Sequence, residues 1–356
     1  MGVAPRRGMP SRRIPAPIAP VAGGRLDVSY ILPLRATQPA ASELVDYVRW
    51  LSARCETIVV DGSPPAIFAA NARAWARGVT HVRPSPSLET PMGKVGGVLT
   101  GVGLATHEHL ILGDDDVRYD AAALDAMHVH LAQADVVRPQ NYFAPLPWHA
   151  CWDTGRTLLN RMTGGDWPGT LGVRRSALLR TGGYDGAAMF ENLELVRTVR
   201  AAGGHERIPL DLYVARRPST ARHFFSQRVR QAYDEFARPA RLGVQLAVLP
   251  LAAVIGHQFD WRGLATFAFV VAAVAEGGRR RAGGTRHFPF RASLLAPAWL
   301  AERAICIWLA VGARLLLGGV PYRGRILSHA ATPMSVLRAR FSRLPPRPTE
   351  APRRSA

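Results

Sequence analysis

From Leu26 to Gly113 the chain switches repeatedly between strand-like and helix-like spacing, and this alternation most limits what it can fold into. Residues 28–32 read as a strand stopped by Pro33, and residues 42–52 place Leu44, Val45, Val48 and Leu51 on one helical side. A second strand at 57–60 ends in Asp61-Gly62-Ser63; a helix at 66–76 and a short strand at 80–82 follow. A third helix at 95–105 leads to a fourth strand at 109–113. Strands alternating with helices build a parallel, doubly wound sheet, whose ligands bind beyond the carboxyl ends of the strands. Pro33, Asp61 and the run Asp114-Asp115-Asp116 all fall at such ends.

Three adjacent carboxylates repel one another unless a positive group sits between them. A divalent metal holding phosphate oxygens supplies one, because hard cations take carboxylate oxygens and leave positions open for a nucleotide. Taken alone, the triplet serves equally well as an acidic turn or as a helix cap, with Asp116 or Asp120 capping residues 121–131. Two acidic strand ends in one sheet favour a shared nucleotide site.

After Leu131 the pattern loosens into a stretch rich in Trp, Gly and Pro, which reads as a binding region built from loops, followed by a helix at 193–202 and a short strand at 210–215. Trp167-Pro168-Gly169 is a candidate acceptor platform there, and Trp148 and His149 are candidates for the same cleft; as turn and packing residues they are equally well explained.

From Arg241 onward the sequence becomes apolar. Residues 239–258 and 261–277 are each long enough to cross a bilayer with their ends snorkelling. Residues 294–317 carry Glu302, Arg303 and Arg314, and the two arginines, eleven apart, share a helical stripe that suggests a helix lying in the interface plane. The basic segment 279–291 belongs on the cytosolic side by the positive-inside rule. The formal charge of the 356-residue chain is +19, with much of the excess in the tails and between the apolar segments, which points to an anionic membrane face. No helix-turn-helix, RNA-recognition or zinc-finger pattern supports a nucleic-acid partner. Cys55, Cys151 and Cys306 are far apart and odd in number, so neither a disulfide framework nor a zinc site is expected. The Pro- and Arg-rich residues 1–24 lack the apolar core of a signal peptide and read as a disordered basic tail, as does the Pro-rich end of the segment 328–356.

The ordered set is Leu32-Pro33, Asp61-Gly62-Ser63, a helix start with Lys94, Asp114-Asp115-Asp116, Gly182-Gly183-Tyr184, Glu191-Asn192, Gln227-Arg228-Val229-Arg230-Gln231 and the apolar segments. Over about residues 26–327 it resembles a family 2 glycosyltransferase of the GT-A fold, in particular the membrane-attached kind typified by ceramide glucosyltransferases. The resemblance implies an α/β catalytic domain at 25–238 with a Rossmann-like, mostly parallel sheet, followed by membrane helices at 239–327. It implies that Pro33, Asp61, Lys94, Asp114, Asp115 and Arg228 contact a nucleotide-sugar donor. Asp116, with Asp114, would hold Mg2+ or Mn2+, and Gln227 and Arg230 would serve the departing diphosphate. The family's catalytic Asp falls on Asn192, which cannot take a proton, so Glu191 becomes the base, with Glu194 as the other candidate. Gln231 stands where the family has Trp.

The function implied is an inverting, metal-dependent transfer of a sugar from a nucleotide diphosphate, UDP in the first instance, to a lipid or polyprenyl hydroxyl. The catalytic domain would face the cytosol at the cell membrane. Two rivals are a nucleotidyltransferase, against which Pro33-Leu34-Arg35-Ala36 counts because it is no Gly-rich loop, and a non-catalytic membrane-bound partner of the same fold.

Overall fold

The computed structural model describes residues 24–343, apart from 76, 323 and 324. The expected tail at 1–23 and the Pro-rich end from 344 lie outside the described residues. The first half is built from β1 (Val28–Leu34), α1 (Ser42–Ser52), β2 (Glu56–Asp61), α2 (Pro65–Ala74), β3 (Val79–Val82), α3 (Gly93–Leu104), β4 (His109–Gly113), β5 (Val117–Arg118) and α4 (Ala121–Leu131). Next come β6 (Val136–Val137), β7 (Gln140–Phe143), α5 (Trp148–Met162), β8 (Thr170–Arg174), α6 (Arg175–Arg180), α7 (Glu191–Ala201), β9 (Glu206–Arg207) and β10 (Tyr213–Arg216). The remainder is α8 (Ala221–Ser226), α9 (Arg228–Tyr233), α10 (Pro239–Arg280), α11 (Phe290–Leu317), β11 (Val320–Tyr322), β12 (Arg325–Leu327) and α12 (Met334–Phe341).

The main sheet has the order β3-β2-β1-β4-β8-β6-β9. Its first four strands are parallel, and β8 enters antiparallel between β4 and β6. This is the mixed α/β, mostly parallel architecture that the resemblance implied; the fully parallel sheet expected from the alternation is broken by β8. Strands β1 and β4 are buried on both faces, which explains why their sequences are almost continuously apolar. One core, with Leu44, Val48, Leu124 and Met127, fills the side of α1 and α4. The other, with Val95, Val98, Leu193 and Val196, fills the side of α3 and α7. Asp120 caps α4, accepting from the Ala123 amide at 2.8 Å, so the capping role belongs to Asp120 and leaves Asp116 to the cleft.

The stretch expected to be loops contains α5, a fifteen-residue helix. It became unreadable because its buried face is polar: Asp153, Thr154, Thr157, Asn160 and Arg161 all lie inside. Arg161 is fully buried and donates to the carbonyls of Gly278, Leu210 and Arg281.

Helix α10 is interrupted at Asp260, where φ is 54° and ψ −156°. The chain doubles back there, since Gly263 lies against Ile255 and Gly256 against Leu264. Two limbs of about 30 Å result, by the 1.5 Å rise per helical residue. Phe259, Trp261, Phe269 and Val270 are exposed along them. By length and composition two segments could cross a membrane: Pro239–Arg286, with mean hydropathy 1.5 and 6% of its apolar window buried, and Phe290–Leu317, with 1.6 and 39%.

Helix α11 is docked on the α/β core, not beside it. Ile307 and Ala310 join the core of α3 and α7, while Ala292 and Ala296 join a third cluster with Leu158, Val271 and Ala275. The charged stripe therefore faces the protein: Arg303 is buried and Arg314 donates to the Tyr233 hydroxyl at 2.7 Å. The opposite face, with Leu294, Ile305, Trp308, Leu309 and Leu316, is exposed.

Helices α5 and α10 cross with backbones nearly touching, because a Cβ at Gly278 would lie 2.0 Å from the Leu158 carbonyl oxygen. Gly278→Ala must force the helices apart and should lower stability by about 1–3 kcal/mol. Gly103→Ala, on an open helical surface, should be neutral or slightly stabilising. Thermal unfolding of the two variants against the parent checks the contrast.

Candidate active site

Four elements bring charge to one point. Asp114 follows β4, Lys94 sits in the first turn of α3, Glu191 opens α7 and Arg216 closes β10. The Lys94 ammonium lies 2.5 Å from Asp114 Oδ1 and 2.6 Å from Glu191 Oε1. Arg216 Nε donates to Asp116 Oδ2 at 2.8 Å, and its Nη2 is 3.7 Å from Asp114 Oδ2. Gly169 closes the floor; a Cβ there would lie 2.9 Å from Asp114 Oδ2 and 3.1 Å from Arg216 Cζ.

Burial opposes the charge on Lys94, but Asp114 and Glu191 outweigh it and hold the ammonium protonated well above the ordinary lysine range. Burial pushes the Glu191 carboxyl above its usual value even though Lys94 pulls it down. Glu191 Oε2 is buried and has no hydrogen-bond partner. One oxygen is thus anchored and the other is available to accept a proton.

Asp116 Oδ1 is likewise buried without a partner. Among the described residues no group of three or more His, Cys, Asp and Glu could hold a metal unaided. A nucleotide-bound Mg2+ or Mn2+ needs only one or two carboxylates, the rest of its shell being phosphate oxygens and water. Asp116, with its orphaned Oδ1, and Asp114, beside a floor kept open by Gly169, fit that requirement.

These groups line one end of a cleft of about 960 Å³. Pro33, Lys94, Asp114, Asp115, Glu191 and Arg230 all contribute to its wall, and Asp116 borders it through Arg216. Trp167, Pro168 and Asn192 line it too, with Asn192 Nδ2 donating to the Pro168 carbonyl at 3.0 Å.

Six residues expected here lie elsewhere. Asp61 is fully buried, accepting from the Ser63 amide at 2.9 Å, Asn71 Nδ2 at 2.8 Å and facing His81 Nε2 at 3.2 Å. Its carboxylate shapes the turn after β2, while Gly62 beside it reaches the cleft wall. Arg228 is 3% exposed and is held by Asp153 at 2.9 Å and Glu302 at 2.5 Å, a clamp between α5 and α11. Gln227 lies outside the wall and braces it, its Oε1 accepting from Arg230 Nε at 2.7 Å. Glu194 also points away from the cleft and accepts from the Thr332 amide. His149 is occupied by the Ser219 carbonyl at 2.8 Å, and Trp148 is 62% exposed outside the wall.

Sequence reasoning missed Arg216, the cation between Asp114 and Asp116, and Arg156 and Arg303 at the far end of the cleft. The strand expected at 210–215 stopped one residue short of Arg216; a basic residue at a strand end opposite an acidic one was the available signal.

No family model matches the chain, and no curated protein matches it. Among solved structures, a mannosyltransferase from Pyrobaculum calidifontis in complex with GDP-Man and Mn2+ is 17% identical over 82% of this chain and 89% of its own, with a TM-score of 0.49. Mannosyl-3-phosphoglycerate synthase from Rubrobacter xylanophilus is 14% identical over 56% and 69%, with a TM-score of 0.38. Glucosyl-3-phosphoglycerate synthase from Mycobacterium tuberculosis, with Mn2+, UDP and phosphoglyceric acid, is 16% identical over 57% and 74%, with a TM-score of 0.38.

Burial pushes the Asp61 carboxyl up, but its hydrogen bonds outweigh this and hold it below the ordinary value. Its stabilisation is therefore complete above the unfolded carboxylate pKa and is lost as pH falls through the folded one. Asp61→Asn should cost about 1–3 kcal/mol at neutral pH, because an amide presents donors to donors. The gap between variant and parent should narrow under strongly acid conditions, as urea titrations across pH would show.

Proposed function

We propose that the chain is an inverting glycosyltransferase that moves a hexosyl group from a nucleotide diphosphate, UDP in the first instance, to a hydroxyl of a lipid or polyprenyl acceptor. The observation that carries this reading is Glu191: one oxygen held by Lys94, the other buried and unpartnered, beside the acidic end of β4. A base with a raised pKa suits proton transfer near neutrality.

The acceptor oxygen attacks the anomeric carbon and forms the new glycosidic bond. The carbon–oxygen bond to the diphosphate breaks on the opposite side, and the hydroxyl proton passes to Glu191 Oε2. Lys94 fixes the carboxylate's orientation, and Arg216 and Arg230 offer positive charge to the departing diphosphate. A divalent ion held by Asp116 and Asp114 would add further stabilisation of that leaving group.

The exposed apolar limbs of α10 and the outer face of α11 support attachment to a membrane. Arg279, Arg280, Arg281, Arg286 and Arg291 cluster at the base of the hairpin, on the cytosolic side by the positive-inside rule. His257, Gln258, Asp260 and Arg262 cluster at its tip.

Binding of UDP and GDP to the detergent-solubilised chain, with and without Mn2+, tests the donor site. Metal-dependent binding of one nucleotide that disappears in Asp116→Ala is the expected result, and binding of neither refutes the reading. Glu191→Gln should retain that binding yet lose about 10²–10⁴-fold in turnover. Because Glu191 works ionised, parent activity should fall with decreasing pH at a value above the ordinary carboxylate range; a profile flat down to that range removes Glu191 as the base.

A further inference from the structure

The cleft has a second pole that the donor chemistry does not use. Besides Arg156 and Arg230, its wall carries Arg238, Arg241 and Arg303 against Asp234 and Glu235. Arg156 is satisfied by Asp153 at 3.0 Å and Asp166 at 2.8 Å. Arg238 and Arg241 share one carboxylate, Glu235, at 2.8 and 3.3 Å. Arg303 is only 4% exposed, and both its Nε and its Nη1 lack a hydrogen-bond partner. Its guanidinium packs over the Trp299 ring at 5.3 Å.

Glu235, Asp153 and Asp234 act on Arg303 only from a distance, and a buried guanidinium with open donors and no carboxylate bonded to them is expensive to keep. It is retained without penalty only when something supplies oxygens to it. Arg303 lines the cleft, so that something enters from the cleft. Guanidinium donors match the oxygens of a phosphate or carboxylate.

The location narrows the source. Arg303 projects from the inner face of α11, whose outer face is the exposed apolar stripe, and Arg238 and Arg241 stand at the root of the α10 hairpin. The anion pole therefore lies where the cleft meets the apolar surface.

Building on the proposed transferase reading, we infer that the acceptor is an anionic amphiphile whose phosphate-type headgroup seats on Arg303, Arg238 and Arg241 while its hydroxyl faces Glu191. The donor diphosphate occupies the opposite pole, between Lys94 and Arg216.

The test is thermal unfolding of the detergent-solubilised full chain with octyl phosphate, octanol or inorganic phosphate. Octyl phosphate should stabilise the parent at concentrations at least about tenfold below those at which octanol acts, the scale of one charge-assisted hydrogen bond. Inorganic phosphate should act only at higher concentration; equal potency of the two phosphates would retain the oxyanion seat but assign it to a soluble phosphorylated acceptor. Arg303→Met should abolish the phosphate response and, by removing an unpaired buried charge, raise the melting temperature of the ligand-free protein. If that variant does not fold, Arg241→Gln at the more exposed rim should weaken the response. Octanol matching octyl phosphate, or a full phosphate response in Arg303→Met, overturns the inference.

UDP and GDP binding with Mn2+ is measured in parallel. An equal loss of nucleotide binding in Arg303→Met would place Arg303 on the donor diphosphate and overturn the inference while leaving the transferase standing. Phosphate binding by a parent that binds no nucleotide would refute the acceptor role together with the transferase reading.

Discussion

The Lys94 ammonium is the contact on which the cleft depends. It joins Asp114 at the end of a central strand to Glu191 at the start of α7, and so ties the strand end to the two helices packed on one face of the sheet. Without a cation there, two partly buried carboxylates would face each other across a low-dielectric gap. The same contact fixes the orientation of Glu191 and leaves its second oxygen buried and unpartnered in a residue of the cleft wall. Arg216 does the equivalent for Asp114 and Asp116, so the acidic end of β4 is held between two cations from distant parts of the chain.

Helix α11 is structurally part of the α/β body. Helix α11 contributes Ile307 to the core behind the sheet, Glu302 to the Arg228 clamp and Arg303 to the wall of the cleft. One helix thus presents polar groups inward and an apolar stripe outward. With Ala296, Ile307 and Ala310 also buried, the helix is apolar on both sides, which suits an element placed between a protein core and an apolar medium.

Much of this was legible in the sequence where local pattern decides the outcome. The helices at 42–52 and 121–131 and the strand at 109–113 fall where periodicity placed them, because each buries an ordinary apolar face. Helix α5 was not legible, since its inward face is satisfied by partners more than a hundred residues away, such as Gly278 and Arg281 for Arg161. Asp61 was correctly placed at a strand end, yet nothing local shows that Asn71 and His81 would occupy its carboxylate. Arg228 and Arg230 illustrate a constraint the pattern did contain. Two residues apart on a helix, they turn about 200° from each other, so only one could reach the cleft.

The reversal at Asp260 limits how an apolar hairpin of this kind could meet a bilayer. The turn leaves helical ends and the charges of Asp260 and Arg262 between two apolar limbs. In hydrocarbon such groups have no water to bond. The hairpin is therefore stable with its tip in either aqueous phase and unstable at any depth between. Were this hairpin to enter a membrane, entry would be an all-or-none step in which both limbs cross together, a transition that would suit insertion during synthesis and disfavour reversible docking.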